Sequence, residues 1–305
     1  MNLLDALSAV VPTPSEYRAW VDENRVLDTL RCTPGDLRKL VDAGLTCEGG
    51  YYDFYDVWNL GLFSGSGRTR PELEMIFFAK ALKSSRSDWV SARRYAITGW
   101  AECPRGSGCR SPEWSAPALP DVHWSEEEVN TGRAEWRGVV ELSGQRATVQ
   151  DPRIRHAWDE LTRCYRYQFT PERLAFDVAK TAVRKVGDCE ALCRILMRDL
   201  RDFDISAELQ PGYIFGASRL RRHSWLKVFD HDGLPKVLDP SMALLAEMFF
   251  TPEYKEFCYG STLNRMARLS RHEDALAPHP CTEGADIFYN FALQPTRPLQ
   301  KTRYL

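Results

Sequence analysis

The chain has almost no net charge. Its 40 lysines and arginines face 42 aspartates and glutamates across 305 residues, a balance of −2 with both signs interspersed. No field of one sign exists to gather nucleic acid or an anionic bilayer, so neither is expected as a partner. Long apolar runs are also missing. No segment approaches the roughly 18 uninterrupted apolar residues of a membrane span. The start, MNLLDALSAVVPTPSE, has neither a basic leader nor an extended apolar core, which reads as a cytoplasmic chain without an export signal. No repeat of fixed period is visible. The nine cysteines, at 32, 47, 103, 109, 164, 189, 193, 258 and 281, are odd in number, lack the density of a disulfide scaffold and include no Cys-x-x-Cys pair. Reduced thiols are expected. Cys103 and Cys109 lie six apart, but neither a second close pair nor a spaced histidine pair accompanies them, so no metal and no cofactor is expected. GLFSGSGRT imitates a phosphate loop, yet one residue too many separates Gly61 from Gly67 and Arg68 stands where lysine is required.

What is present has a clear order. Residues 1–105 read as a helical N-terminal region, with a helix at about 71–83 opened by a Thr69/Glu72 capping box. Residues 106–125 are rich in Pro, Gly and Ser and read as a linker or long loop, 126–295 as a catalytic domain, and 296–305 as a tail. Within 126–295, β-leaning runs flank a hairpin near Ser143-Gly144. Two helices follow, RIRHAWDELTRCYRYQ and TPERLAFDVAKTAVRKV, the second opened by Thr170-Pro171-Glu172. VGDCEALCRILMRDL then reads as an amphipathic helix. ISAELQPGYIF, HSWLKVFD and PKVLDP read as strands broken by Pro-Gly, an arginine-rich turn and His231-Asp232-Gly233. Helices followed by consecutive hairpin-joined strands predict an α+β fold with an antiparallel sheet.

Taken alone, Cys189 would be a small buried residue, as most free cysteines are. Its surroundings argue otherwise. A cysteine attacks as the thiolate, so a nucleophile needs a setting that favours the anion. Asp188 is a good N-cap, and Leu192, Ile195, Leu196 and Leu200 mark the buried stripe, which places Cys189 in the first helical turn at the positive end of the dipole. Gly187 removes bulk where a substrate backbone would approach. In HSWLKVF, alternation sets His223 and Trp225 on one face, giving a base. Asp239, ending KVL before Pro240, supplies an acceptor to orient the imidazole. Cys193, one turn beyond Cys189, reads as packing.

The succession GDCEALCRILMRDL, GYIFG, HSWLKVF and VLDPS is similar to the catalytic core of the transglutaminase-like superfamily, over about residues 170–245. The resemblance implies a papain-like α+β core with the nucleophile at a helix N-terminus. It also implies Cys189 as nucleophile, His223 as general base and acid, and Asp239 as the orienting carboxylate. Several family members complete the oxyanion hole with an aromatic or amide side chain upstream of the cysteine, for which Trp158, Tyr165 and Tyr167 are the candidates. The implied chemistry is acyl transfer through a thioester, from a peptide or acyl-thioester donor, including one on a carrier protein. An amine acceptor makes an amide synthase or cross-linking enzyme; water makes a peptidase or amidase. A non-catalytic binding module of the same fold is the alternative from another class. Arg219, Arg221 and Arg222 abut His223, either as a solvated turn or, with Trp225, as the binding surface for an anionic donor. The remaining histidines, 123, 156, 231, 272 and 279, have no partner pattern.

Overall fold

Short polar residues set the first helix starts. Asn2, Asp22, Thr33 and Asp53 cap α1 (Leu3–Leu7), α2 (Glu23–Leu30), α3 (Pro34–Asp42) and α4 (Phe54–Leu62), each side chain accepting a backbone N–H of the first turn. Their apolar stripes meet in a core that includes Ala6, Val26, Leu30, Leu37, Leu40, Val57 and Leu60. Each fully buried leucine contributes about 2 kcal/mol of transfer free energy. The computed structural model describes residues 2–83, 88–109, 113–130, 132–217, 219–270, 276–278, 280–282, 286–288 and 290–295. The expected tail, His272 and His279 lie outside the described residues.

α5 (Arg70–Lys83) forms where expected, but without the capping box. The Thr69 hydroxyl instead donates to the Gly61 carbonyl (2.6 Å), and the buried Glu72 carboxylate accepts the Gly67 N–H (2.6 Å) and the hydroxyls of Ser64 (2.9 Å) and Ser66 (3.2 Å). An internal carboxylate thus fills the glycine-rich loop that imitates a phosphate site. Downstream, Asp151 caps α6 (Pro152–Cys164). The single helix expected after Thr170 divides into α7 (Glu172–Ala175) and α8 (Val178–Arg184), because Asp177 accepts the Lys180 N–H and restarts the chain. α9 (Cys189–Arg201), α10 (Pro240–Phe249) and α11 (Pro252–Phe257) complete the eleven helices found among the described residues. None is long and apolar enough to cross a membrane.

The strands confirm an α+β class with antiparallel sheets and correct several breaks. Ala207–Phe215, Leu220–Phe229 and Pro235–Leu238 form as expected. Pro211-Gly212 lies inside the first of them, where the Pro211 carbonyl accepts the Leu269 N–H (2.9 Å). The turn after it is closed by Gly216 N–H on the Arg219 carbonyl (2.9 Å), so Arg221 and Arg222 are strand residues. These strands share a sheet in the order Tyr259–Gly260, Pro235–Leu238, Leu220–Phe229, Ala207–Phe215, Met266–Arg268. Leu226 stands opposite Leu238, and Met266 opposite Ile214.

A second antiparallel sheet orders Asn290–Pro295, Arg93–Glu102, Arg133–Leu142 and Val122–Asn130. Arg93–Glu102 falls within the expected helical region but is a strand, because Tyr95, Ile97 and Ala101 alternate onto a buried face. The hairpin turn lies at Asn130 to Arg133, where the Asn130 side chain accepts the N–H groups of Gly132 and Arg133, and not at Ser143-Gly144. Gly144 serves a close approach: a Cβ there would meet the Thr262 carbonyl at 2.3 Å and that of Trp89 at 2.7 Å.

The described residues group into two compact units. One comprises Met1–Lys83, Val149–Leu209 and Trp225–Tyr259; the other comprises Ser84–Thr148, Gln210–Ser224 and Gly260–Leu305. The N-terminal helices belong with α9 because distant side chains clamp backbone. The Gln168 amide donates to the Val11 carbonyl (2.7 Å) and accepts its N–H (3.0 Å), and Asn59 does the same for Phe169 (2.8 and 2.7 Å). The core of the second unit is the buried face of its strands, with Trp136, Ile97, Phe215 and Ala267 nearly inaccessible.

Candidate functional site

Asp188 begins the site. Its extended backbone leads into α9, its side chain accepts the Ala191 N–H (3.0 Å), and its own N–H donates to the Thr170 hydroxyl (3.1 Å). Cys189 is the first helical residue, as the sequence predicts. The expected stripe of Leu192, Ile195, Leu196 and Leu200 is fully buried, and so is Cys193. Of the two thiols on α9, only Cys189 is partly exposed. Burial, followed by the charges of Asp239 and Cys189, pushes the Cys193 thiol well above its ordinary range, so it stays protonated and inert. A Cβ at Gly187 would lie 2.8 Å from that of Ala191, so its smallness serves the packing of α9.

Asp239 is the N-cap of α10. Its carboxylate accepts the Met242 N–H (3.1 Å) and the Ser241 hydroxyl (3.1 Å), and its N–H donates to the Cys258 carbonyl (3.0 Å). These bonds fix a buried carboxylate at the end of the strand Pro235–Leu238. α10 packs on α9, and the Asp239 charge is felt by Cys193. His223, also buried, lies on the strand Leu220–Phe229, in the part assigned to the second unit. Leu226 pairs with Leu238, so the next residues along the two chains are Trp225 and Asp239, and alternation sets His223 on the same strand face as Trp225.

The segment upstream of the cysteine runs parallel to the one that carries it. Arg166 stands opposite Val186 and Tyr167 opposite Gly187, with the Gln168 N–H on the Gly187 carbonyl (3.0 Å). Of the three oxyanion candidates, Tyr167 is therefore the one whose backbone borders the cysteine segment. Trp158 is buried against Tyr259, ring centroids 5.3 Å apart. The Tyr165 hydroxyl accepts a hydrogen bond from the Lys185 ammonium (3.3 Å). The arginine group spans the turn and the start of the strand. Arg219 is exposed in the turn, while Arg221 and Arg222 are successive strand residues, which alternation sets on opposite faces. Arg222 lies near Tyr213, whose hydroxyl is pushed up to about 12 by burial. Trp225 is buried.

Two features had no signal in the spacing. Burial pushes the Asp188 carboxyl up to about 7, so its charge changes near neutral pH beside Cys189. Next to it, rings from α4 gather on Phe169: Tyr55 lies 5.4 Å, Trp58 6.2 Å and Phe54 6.4 Å from it between centroids. All four rings are partly exposed. Burial, then the charges of Asp53 and Asp188, raises the Tyr55 hydroxyl, which places that ring within electrostatic reach of the helix start. Phe169 is brought there by the Asn59 clamp across 110 residues of sequence, a contact no local pattern announces.

No protein-family model matches the chain, and no curated protein matches it either. Among solved structures, the chain is similar to one described as a "Putative Cysteine Protease from Cytophaga hutchinsonii", with 13% identity and a TM-score of 0.38 over 69% of this chain and 92% of that one. So distant a likeness assigns no chemistry, which must come from the residues themselves.

Proposed function

We propose that the chain is a cysteine-dependent acyl-transfer enzyme with a transglutaminase-like core, in which Cys189 is the nucleophile, His223 the base and acid, and Asp239 the orienting carboxylate. The observation that carries the reading is the contrast within α9: Cys189 is partly exposed at a capped helix start, while Cys193 is sealed in the core. A helix N-terminus favours the thiolate and offers backbone N–H groups to a developing oxyanion. The Cys189 sulfur attacks the carbonyl carbon of an amide or thioester donor. His223 protonates the leaving amine or thiol as the old bond breaks, leaving a thioester on the enzyme. An amine or water, deprotonated by His223, then displaces the thiolate. Transfer to an amine is the reading adopted; transfer to water would make the same site an amidase or peptidase.

Iodoacetamide labelling at about pH 6, mapped by peptide mass spectrometry, tests this reading. Cys189 is expected to react well ahead of the exposed Cys47 and Cys164, and His223→Ala is expected to slow it. Labelling that follows exposure alone, with Cys47 and Cys164 first and His223→Ala without effect, overturns the assignment.

A further inference from the structure

Cys103 and Cys109 lie in the second unit at the two ends of a tight turn that follows the strand Arg93–Glu102. The Cys103 N–H donates to the Gly132 carbonyl (2.8 Å) and its carbonyl accepts the Gly106 N–H (2.8 Å). The Cys109 N–H closes the turn on the Gly106 carbonyl (3.0 Å). Gly106 permits this with φ of +50°. Both thiols are buried, each 4% exposed. The sequence places no third ligand near this pair, and the fold supplies one. Cys281, 172 residues beyond Cys109 in a short turn Pro280–Thr282, brings its sulfur to 3.5 Å from that of Cys109. All three sulfurs lie within 4.8 Å of one another.

Three thiolates around a tetrahedral zinc ion, at about 2.3 Å each, are about 3.8 Å apart. The Cys109–Cys281 separation of 3.5 Å is close to that figure, and the 4.8 Å within which all three lie leaves room for it. A disulfide would bring two sulfurs to about 2.05 Å and leave the third without a role. A divalent ion holds a coordinating thiol as the thiolate, and soft sulfur donors select zinc over magnesium or calcium. The cluster also has a mechanical consequence: it ties the start of the connection between Glu102 and Val122, whose described residues contain no longer element than the turn Gly106–Gly108, to a segment far along the chain.

We propose that Cys103, Cys109 and Cys281 bind a zinc ion as thiolates at a structural site of the second unit, with one tetrahedral position left to a further donor. Each thiol releases its proton on binding, and no oxidant is involved.

The test is metal analysis of the full chain purified under reducing conditions without chelator. About one equivalent of zinc per chain is expected. After chelation, added cobalt(II) should produce the thiolate-to-cobalt charge-transfer band and the visible bands of a tetrahedral ion, and zinc should bleach both. Cys103→Ser, Cys109→Ser and Cys281→Ser should each abolish or strongly weaken those bands, while Cys47→Ser and Cys164→Ser should keep them. If the serine variants do not fold, the cobalt titration of the wild-type chain still decides. Wild-type protein that holds no zinc and gives no cobalt thiolate band overturns the proposal. So does a Cys281→Ser chain that binds as well as wild type, or a Cys109–Cys281 disulfide peptide found in place of the metal.

Discussion

Asp188→Asn should make the protein more stable above neutral pH and leave it nearly unchanged near pH 4. The Asp188 carboxyl is pushed from the ordinary 3.8 up to about 7, chiefly by burial. In the unfolded chain it titrates at its ordinary value. Between about pH 4 and pH 7 the folded protein therefore keeps a proton that the unfolded chain has lost, and stability falls as pH rises, by up to about 1.4 kcal/mol per pH unit. Over that whole range the slope sums to about 4 kcal/mol, and partial exposure of the residue reduces this to about 2–4 kcal/mol. Asparagine is never charged and keeps the carbonyl oxygen that accepts the Ala191 N–H, so the cap survives. Urea unfolding of both chains at pH 4, 6 and 8 is the assay. The difference should be near zero at the lowest pH and reach about 2–4 kcal/mol in favour of the variant at the highest. A constant offset across the series, or a variant less stable at pH 8, would refute the reasoning that burial of this carboxyl dominates its cap bonds.

Glu72→Ala should cost about 2–4 kcal/mol in urea unfolding, because it strands the Gly67 N–H and two serine hydroxyls around a vacated carboxylate site; a loss under about 0.5 kcal/mol would mean the loop does not need it. Gly144→Ala should cost at least about 2 kcal/mol, since the new methyl collides with two backbone carbonyls that cannot swing aside. Thermal unfolding against a Gly67→Ala control, where nothing lies within 4 Å of the added Cβ and only the positive φ is strained, separates collision from backbone strain. Cys193 and Cys258, whose thiols burial pushes well above the ordinary range, should resist iodoacetamide at pH 8 until denaturant is added; labelling of either in the native state would contradict their sealed position.

Local chemistry decided much of this protein in advance. Asp188 before an apolar stripe at helical spacing is enough to start α9 and to set Cys189 at its head, because capping and amphipathic burial depend only on residues within a few turns. The three strands around His223 and the α+β class were legible for the same reason: alternation and turn residues are short-range signals. Where the sequence misled, a local rule met a tertiary partner. Thr69 and Glu72 have capping-box spacing, but the Gly61 carbonyl and the Ser64–Gly67 loop claimed their side chains. Arg221 and Arg222 look like a turn until strand pairing draws them into the sheet and sends them to opposite faces. Only the tertiary structure could join the N-terminal helices to the cysteine segment through Asn59 and Gln168, raise the Asp188 carboxyl by burying it, or bring Cys281 to Cys103 and Cys109. Those outcomes depend on which surfaces are removed from water and on contacts more than a hundred residues apart, and neither quantity is written in any short stretch of the chain.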